Sequence, residues 1–285
     1  MTDQQLCTPT VGQVVALVDG LYPPRLAESW DSVGLICGDV DAPVRRVLVA
    51  LDPVEALAAE AVEGGVDLVL THHPLFLRGT HSVATDSTKG RVVHMLIRSG
   101  CALMNAHTNA DAQTGGVADT LADLVGMADD RRPLLPCEDD PHVGIGRVGE
   151  LREPVSLRDF AARLARVLPA TPAGVTWGGH PQRLIRRVAV SPGAGDSLVD
   201  DVRQAGVDCY VCADMRHHPA SEFLEEPGPA LVTGSHYATE WPWVIPASQQ
   251  VARAAHDAGY ALDVHYSSRV TEPWNGHFST EEDQQ

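Results

Sequence analysis

Apolar positions along this chain gather in short β-branched runs, separated by alanine-rich stretches with helical period. "RRVLVALDP" (45–53) leads into "VEALAAEAVEGG" and then "VDLVLTHHP"; "RRVAVSPGA" (186–194) leads into "DSLVDDVRQAG" and then "VDCYVCAD". Each series reads strand, helix, strand. Strands that are apolar along their whole length suit a parallel sheet covered on both faces. The two series keep one spacing: 20 residues separate Arg45 from Gly65, and 20 separate Arg186 from Gly206. Self-similarity at a fixed spacing marks repeated architecture.

The echo extends in both directions. Upstream, "VGQVVALVDGLYPP" leads to "AESWDSVGL" and "SLRDFAARLARVLPATP" leads to "GVTWGG", each a helix, a proline stop and a tryptophan. Downstream, "CALMNAHTNAD" and "PALVTGSHYATE" are each an apolar strand running into a histidine. The pattern predicts an α/β fold of two related lobes made by internal duplication. The first half is 1–127, the second 143–285, and the polar, proline-bearing 128–142 is the linker. The tail "TEEDQQ" reads as disordered.

Composition narrows the class. Hydrophobic residues make up 44% of the 285, enough for a real core. The net charge of −17 disfavours nucleic acid as a partner, because such binding neutralises phosphates with Lys and Arg. No apolar run reaches the roughly 20 residues that span a bilayer, and the start has no basic-then-apolar leader. Six cysteines scattered without a framework pattern fit a reducing compartment. The expectation is a cytoplasmic protein that engages no membrane.

In an α/β sheet, functional groups collect at the carboxyl ends of strands. Three such ends here carry metal-type donors: His72-His73, His107 with Asp111, and His236 with Glu240. The last two pairs share a spacing of four, which puts both groups on one face of a helical turn. A lone histidine at a strand end is usually a hydrogen-bonded structural residue. Three at matching places of a repeat are a different matter, since burying so many ionisable groups together is costly without cations. Imidazoles and carboxylates without thiolates suit a catalytic site. His72, His73, Asp111, His236 and Glu240 exceed the needs of one tetrahedral ion and suit a pair of divalent ions roughly 3.5–4 Å apart. His107 is the surplus histidine: a sixth contact, a group behind the ligands, or the residue that handles a proton, with the last two favoured. Zinc, iron, manganese and cobalt all suit such a donor set.

Other motifs read as structure. "GIGRVG" (144–149) matches a dinucleotide fingerprint literally, but Pro154 follows and Ser156 reads as the next helix cap. "CYVC" (209–212) reads as a buried strand rather than a redox pair. "PGAGDSL" (192–198) reads as a turn with a helix cap at Asp196 or Ser197, with an anion-binding turn as the lesser alternative. Trp241-Pro242-Trp243 reads as crevice wall or core.

"WDSVGL", "THHPLF", "NAHTNAD" followed by "GGVADTLADLVG", "GAGDSL", "ADMRHHPA" and "GSHYATE" resemble, in this order, the motifs of the Nif-three-like dinuclear metal centre proteins, often catalogued as GTP cyclohydrolase 1 type 2 homologues. The likeness runs from about residue 10 to residue 275. It implies two α/β lobes, a toroidal homohexamer, and two metals in a crevice between the lobes held by His72, His73, Asp111, His236 and Glu240. Many members have Thr-Gly-Asp where this chain has Cys212-Ala213-Asp214; the repeat aligns Ala213 and Asp214 with His72 and His73, so the second half lacks the paired ligands. His217 and His218 read as rim groups or groups behind the ligands. The resemblance implies a metal-dependent hydrolase acting on a small molecule, a phosphoester or a purine nucleotide opened by water. The alternative is a non-enzymatic metal-binding ring acting as regulator or metal carrier, whose acidic surface would attract basic partners.

Overall fold

The computed structural model describes residues 6–278; the tail read above as disordered lies outside them. Helix α1 (Val11–Leu21) starts at a reciprocal cap, in which Gln13 N–H donates to Thr10 Oγ1 and Thr10 N–H to Gln13 Oε1. Val11, Val14 and Val18 form its buried stripe. Then come β1 (Gly34–Cys37), β2 (Arg46–Ala50), α2 (Glu55–Glu63), β3 (Leu68–Thr71), α3 (Thr88–Ser99), β4 (Ala102–Asn105), α4 (Thr108–Ala112) and α5 (Val117–Val125). The short pair β5 (Leu135–Pro136) and β6 (Gly144–Ile145) precedes β7 (Arg147–Ser156), α6 (Leu157–Val167), β8 (Thr176–Gly178), β9 (Leu184–Ala194), α7 (Val199–Gln204) and β10 (Cys209–Ala213). The chain continues through α8 (His217–Glu225), β11 (Ala230–Thr233), α9 (His236–Glu240), α10 (Val244–Asp257) and β12 (Asp263–Tyr266).

One five-stranded sheet has the order β1-β4-β3-β2-β12, the other β8-β11-β10-β9-β7. In each, three central strands run parallel and the strand beside β4 or β11 is antiparallel. The RRV and GVD segments do the same work in both sheets. Asp67 accepts backbone N–H groups of Arg45 and Arg46 at 2.7 and 2.9 Å; Asp208 accepts those of Arg186 and Arg187 at 2.9 and 2.8 Å. A carboxylate at the start of one strand thereby fixes the register of its neighbour.

The chain's contacts divide it differently from the contiguous halves 1–127 and 143–285. One compact unit contains the described residues up to Thr120, Pro136–Ile145 and Trp241–Thr271; the other contains Leu121–Leu135, Gly146–Glu240 and the residues from Glu272 onward. The reason is where two helices find apolar cover. Leu121, Ala122 and Val125 of α5 sit in the core formed with Phe160, Leu164, Val188, Val190, Val211 and Val232. Helix α10 packs on α1 and β2, and β12 pairs with β2 from Asp263 opposite Arg46 to Tyr266 opposite Val49. The segment 128–142 is also more than a linker, because Arg132 N–H donates to Val148 O at 2.9 Å and Cys137 N–H to Val143 O at 2.9 Å.

"GIGRVG" forms β6 and the start of β7 rather than a strand-to-helix turn, and Ser156 caps α6 by accepting from Asp159 N–H at 3.2 Å. Cys209 and Cys212 are buried in β10, and burial pushes the Cys212 thiol up to about 12. "PGAGDSL" departs from the expectation: neither Asp196 nor Ser197 caps a helix, and β9 runs through to Ala194. Its glycines serve close approach instead. A Cβ on Gly195 would lie 2.3 Å from Cys212 Cβ and 2.5 Å from the Tyr210 hydroxyl.

Candidate metal centre

In the first unit, the ladder continues past β3, with His72 N–H donating to Ala50 O and His73 N–H to Leu51 O. His72 is wholly buried against Trp243, ring centroids 5.3 Å apart, so Trp243 is core beneath the site. Its Nδ1 lies 2.9 Å from Ala106 O. A carbonyl oxygen only accepts, so Nδ1 carries the hydrogen of this bond. His73 is fixed the same way: Nδ1 is 2.6 Å from Asp52 Oδ1, and the Thr271 hydroxyl donates to Asp52 Oδ2.

His107 ends the next strand's loop and stands just before α4. Its Nδ1 lies 2.8 Å from Asp31 Oδ1, and Asp31 Oδ2 accepts the Thr108 backbone N–H at 3.0 Å and the Thr108 hydroxyl. Burial pushes the Asp31 carboxyl up, but the hydrogen bonds from His107 and Thr108 outweigh it and hold the group well below the usual carboxylate range. His72, His73 and His107 each present a donor atom, and these lie within 4.8 Å of one another. One turn into α4, Asp111 brings Oδ1 to 3.7 Å from His72 Nε2.

In the second unit, the carboxyl ends of β9, β10 and β11 supply the other donors. His236 opens α9 after β11; its Nδ1 lies 2.7 Å from Asp214 Oδ2 and its Nε2 3.0 Å from Oε1 of the buried Glu240, four residues on. Gly193, at φ +66°, backs this pair closely. A Cβ there would fall 2.2 Å from Glu240 Oε1 and 3.1 Å from His236 Nε2. Thr239 ties the turn down: its hydroxyl donates to His236 O at 2.9 Å and accepts Gly193 N–H at 3.0 Å. His217 and His218 are exposed at the start of α8, in edge contact with each other, and are in neither group of metal-type donors found among the described residues.

All four imidazoles thus turn Nδ1 to a carbonyl or carboxylate, and Nε2 of His72 and of His236 faces a carboxylate of Asp111 and of Glu240. That arrangement is how proteins orient histidines that bind metal. With Asp111 and Glu240 and no thiolate, the donors fit a divalent cation such as zinc, iron, manganese or cobalt. The tethering acids Asp31, Asp52 and Asp214 were not picked out by sequence spacing. Asp31 stands in the motif "WDSVGL" and Asp214 in "ADMRHHPA", where the repeat aligns it with His73, while Asp52 closes the run "RRVLVALDP".

Residues 9–273 match the family model described as Duf34/NIF3 (NGG1p interacting factor 3). The chain belongs to the DUF34/NIF3 family. Among its DUF34/NIF3 relatives, a Streptomyces coelicolor protein named GTP cyclohydrolase 1 type 2 homolog is 47% identical over 274 residues, covering 95% of this chain and 96% of the relative. A Mycobacterium tuberculosis protein of the same name is 34% identical over an alignment of 379 residues, covering 96% and 99%. A Staphylococcus aureus structure superposes with a TM-score of 0.83 at 26% identity, covering 94% of this chain and 99% of that one. A Bacillus cereus protein related to NIF3 gives 0.87 at 21% identity, with the same coverage, and shows the DUF34/NIF3 fold alone. The resemblance read from the motifs therefore holds.

Proposed function

We propose that this protein is a dinuclear metal-dependent hydrolase acting on a nucleotide or phosphoester. The observation that carries the reading is the shared orientation of His72, His73, His107 and His236, each with Nδ1 engaged by a carbonyl or carboxylate. In this reading Asp111 and Glu240 add carboxylates to the imidazole donors. His107 stands beside His72 and His73 under the same kind of tether, so we count it as a sixth donor ahead of the proton-handling role read for it as the surplus histidine. Bound divalent ions supply Lewis acidity and lower the pKa of water toward about 7. The chain's own part is to orient the imidazoles, through Asp31, Asp52, Asp214 and the Ala106 carbonyl, each engaging an Nδ1.

The name shared by the Streptomyces and Mycobacterium relatives makes a purine nucleotide the first substrate to try. A phosphoester would use the same donors. A test strips the protein with chelator, restores zinc, iron, manganese or cobalt one at a time, and follows formate and phosphate release separately. Release of either on metal restoration supports the reading. Stoichiometric metal with no turnover of nucleotides or phosphoesters would replace it with the metal-carrier or regulatory reading. The homohexamer and the cytoplasmic location belong to the same proposal. No helix among the described residues is long and apolar enough to cross a membrane, and the molar mass in solution tests the assembly.

The matching order of four strands, β1-β4-β3-β2 and β8-β11-β10-β9, and the paired Asp67 and Asp208 locks support an origin by internal duplication of halves 1–127 and 143–285.

A further inference from the structure

We infer that Asp214 is a positioning residue that replaces, in the second unit, the tether that Asp31 supplies in the first. The inference rests on the metal-binding reading above. In the sequence echo, Trp30-Asp31 before the first RRV strand corresponds to Trp177-Gly178 before the second. The first unit uses that acid to hold His107, the histidine after β4. The second unit has a glycine there, whereas the matching histidine after β11, His236, still has its Nδ1 held by a carboxylate. The acid comes from the end of β10, the strand paired to β11 in register from Cys209 opposite Ala230 to Cys212 opposite Thr233. Asp214 occupies the position that His73 fills in the first unit. A position that gives a metal donor in one copy gives a tether in the other.

The backbone carries a cost for this substitution. Asp214 has φ +47°, the one positive value at a non-glycine residue among the described residues. L-residues pay for that conformation, and Asp or Asn tolerates it better than most. Turning the chain there swings the carboxylate over the strand end to His236 Nδ1 at 2.7 Å, where its side chain remains about half exposed. An exposed carboxylate with no task would gain from a relaxed backbone or a glycine. Strain kept at the strand end beside a metal-type donor pair is the signature of a held group.

Two variants test this. Asp214→Gly relaxes the backbone and removes the tether; Asp214→Asn keeps the conformation and leaves an Oδ1 to accept from Nδ1. Zinc affinity is read by competition with a chromogenic chelator, and the melting temperature is read on metal-free protein. The expected result is that glycine lowers zinc affinity roughly 10–100-fold while the metal-free melting temperature holds or rises. Asparagine should stay within about tenfold of wild type. Wild-type zinc affinity in Asp214→Gly overturns the tether and leaves the metal reading standing. A fall in metal-free melting temperature that matches the loss of affinity makes the residue merely structural and also overturns it. Failure of the wild type to bind zinc takes down both.

Discussion

Asp52 accepts a hydrogen bond from His73 Nδ1 at 2.6 Å, while the hydroxyl of Thr271 donates to the other carboxylate oxygen. The acid is pinned from one side and orients the imidazole on the other. Asp52→Ala should therefore leave His73 present but free to rotate, lowering metal affinity roughly 10–100-fold. Titration with zinc against a competing chelator checks this; an unchanged affinity would remove Asp52 from the site.

Gly193→Ala asks for a Cβ 2.2 Å from Glu240 Oε1, on a backbone at φ +66°. The left-handed conformation alone costs an L-residue about 1–2 kcal/mol, and Glu240 must also move. We expect a lower melting temperature together with reduced metal content, measured by calorimetry and elemental analysis. A variant that melts lower but binds metal normally would show that Glu240 is not held in place by this contact.

Neither sequence half should fold alone. Helix α5 belongs to the first half, yet its Leu121, Ala122 and Val125 fill the core of the second unit. Helix α10 and β12 belong to the second half, yet they cover α1 and extend the first sheet at β2. Fragments 1–127 and 143–285 expressed separately should lack a cooperative thermal transition, and co-expression should restore one. A cooperative transition in either fragment alone would contradict the exchange.

Burial pushes the thiols of Cys101 and Cys212 up to about 12 and raises that of Cys209 further. All three stay protonated at pH 8, so the nucleophilic thiolate is absent and the groups are shielded. Alkylation of native protein followed by mass mapping should mark the exposed Cys7 and spare these three, all of which react after unfolding. Rapid labelling of Cys212 in the native state would mean that β10 opens readily.

The parts of this fold legible in the sequence were those with local period. The RRV and GVD segments announced both parallel sheets, because each strand is apolar throughout and each turn recurs at the same spacing. The spacing of four likewise marked His107 with Asp111 and His236 with Glu240. What escaped were relations between residues far apart in the chain. Asp31 reaches His107 across 76 positions and Asp52 reaches His73 across 21, and no periodicity links such pairs. Asp214 read as the remnant of a lost ligand, since its work depends on one backbone angle. The turn at 192–198 read as a helix cap because glycines suit both a turn and a close approach, and only the nearness of Glu240 and Cys212 distinguishes them. The contiguous halves misplaced α5 and α10 because an amphipathic stripe shows that a helix is covered, not which sheet covers it.

The most direct measurement is the metal content of the purified protein, taken by elemental analysis after chelator treatment and reloading, for the wild type beside His72→Ala, Asp111→Ala and Glu240→Ala. We predict two divalent ions per chain in the wild type and fewer in each variant. Loading should also raise the wild-type melting temperature, since an ion bound only by the native state stabilises it. A wild type that takes up no divalent metal, or variants that take up as much as the wild type, would contradict the account.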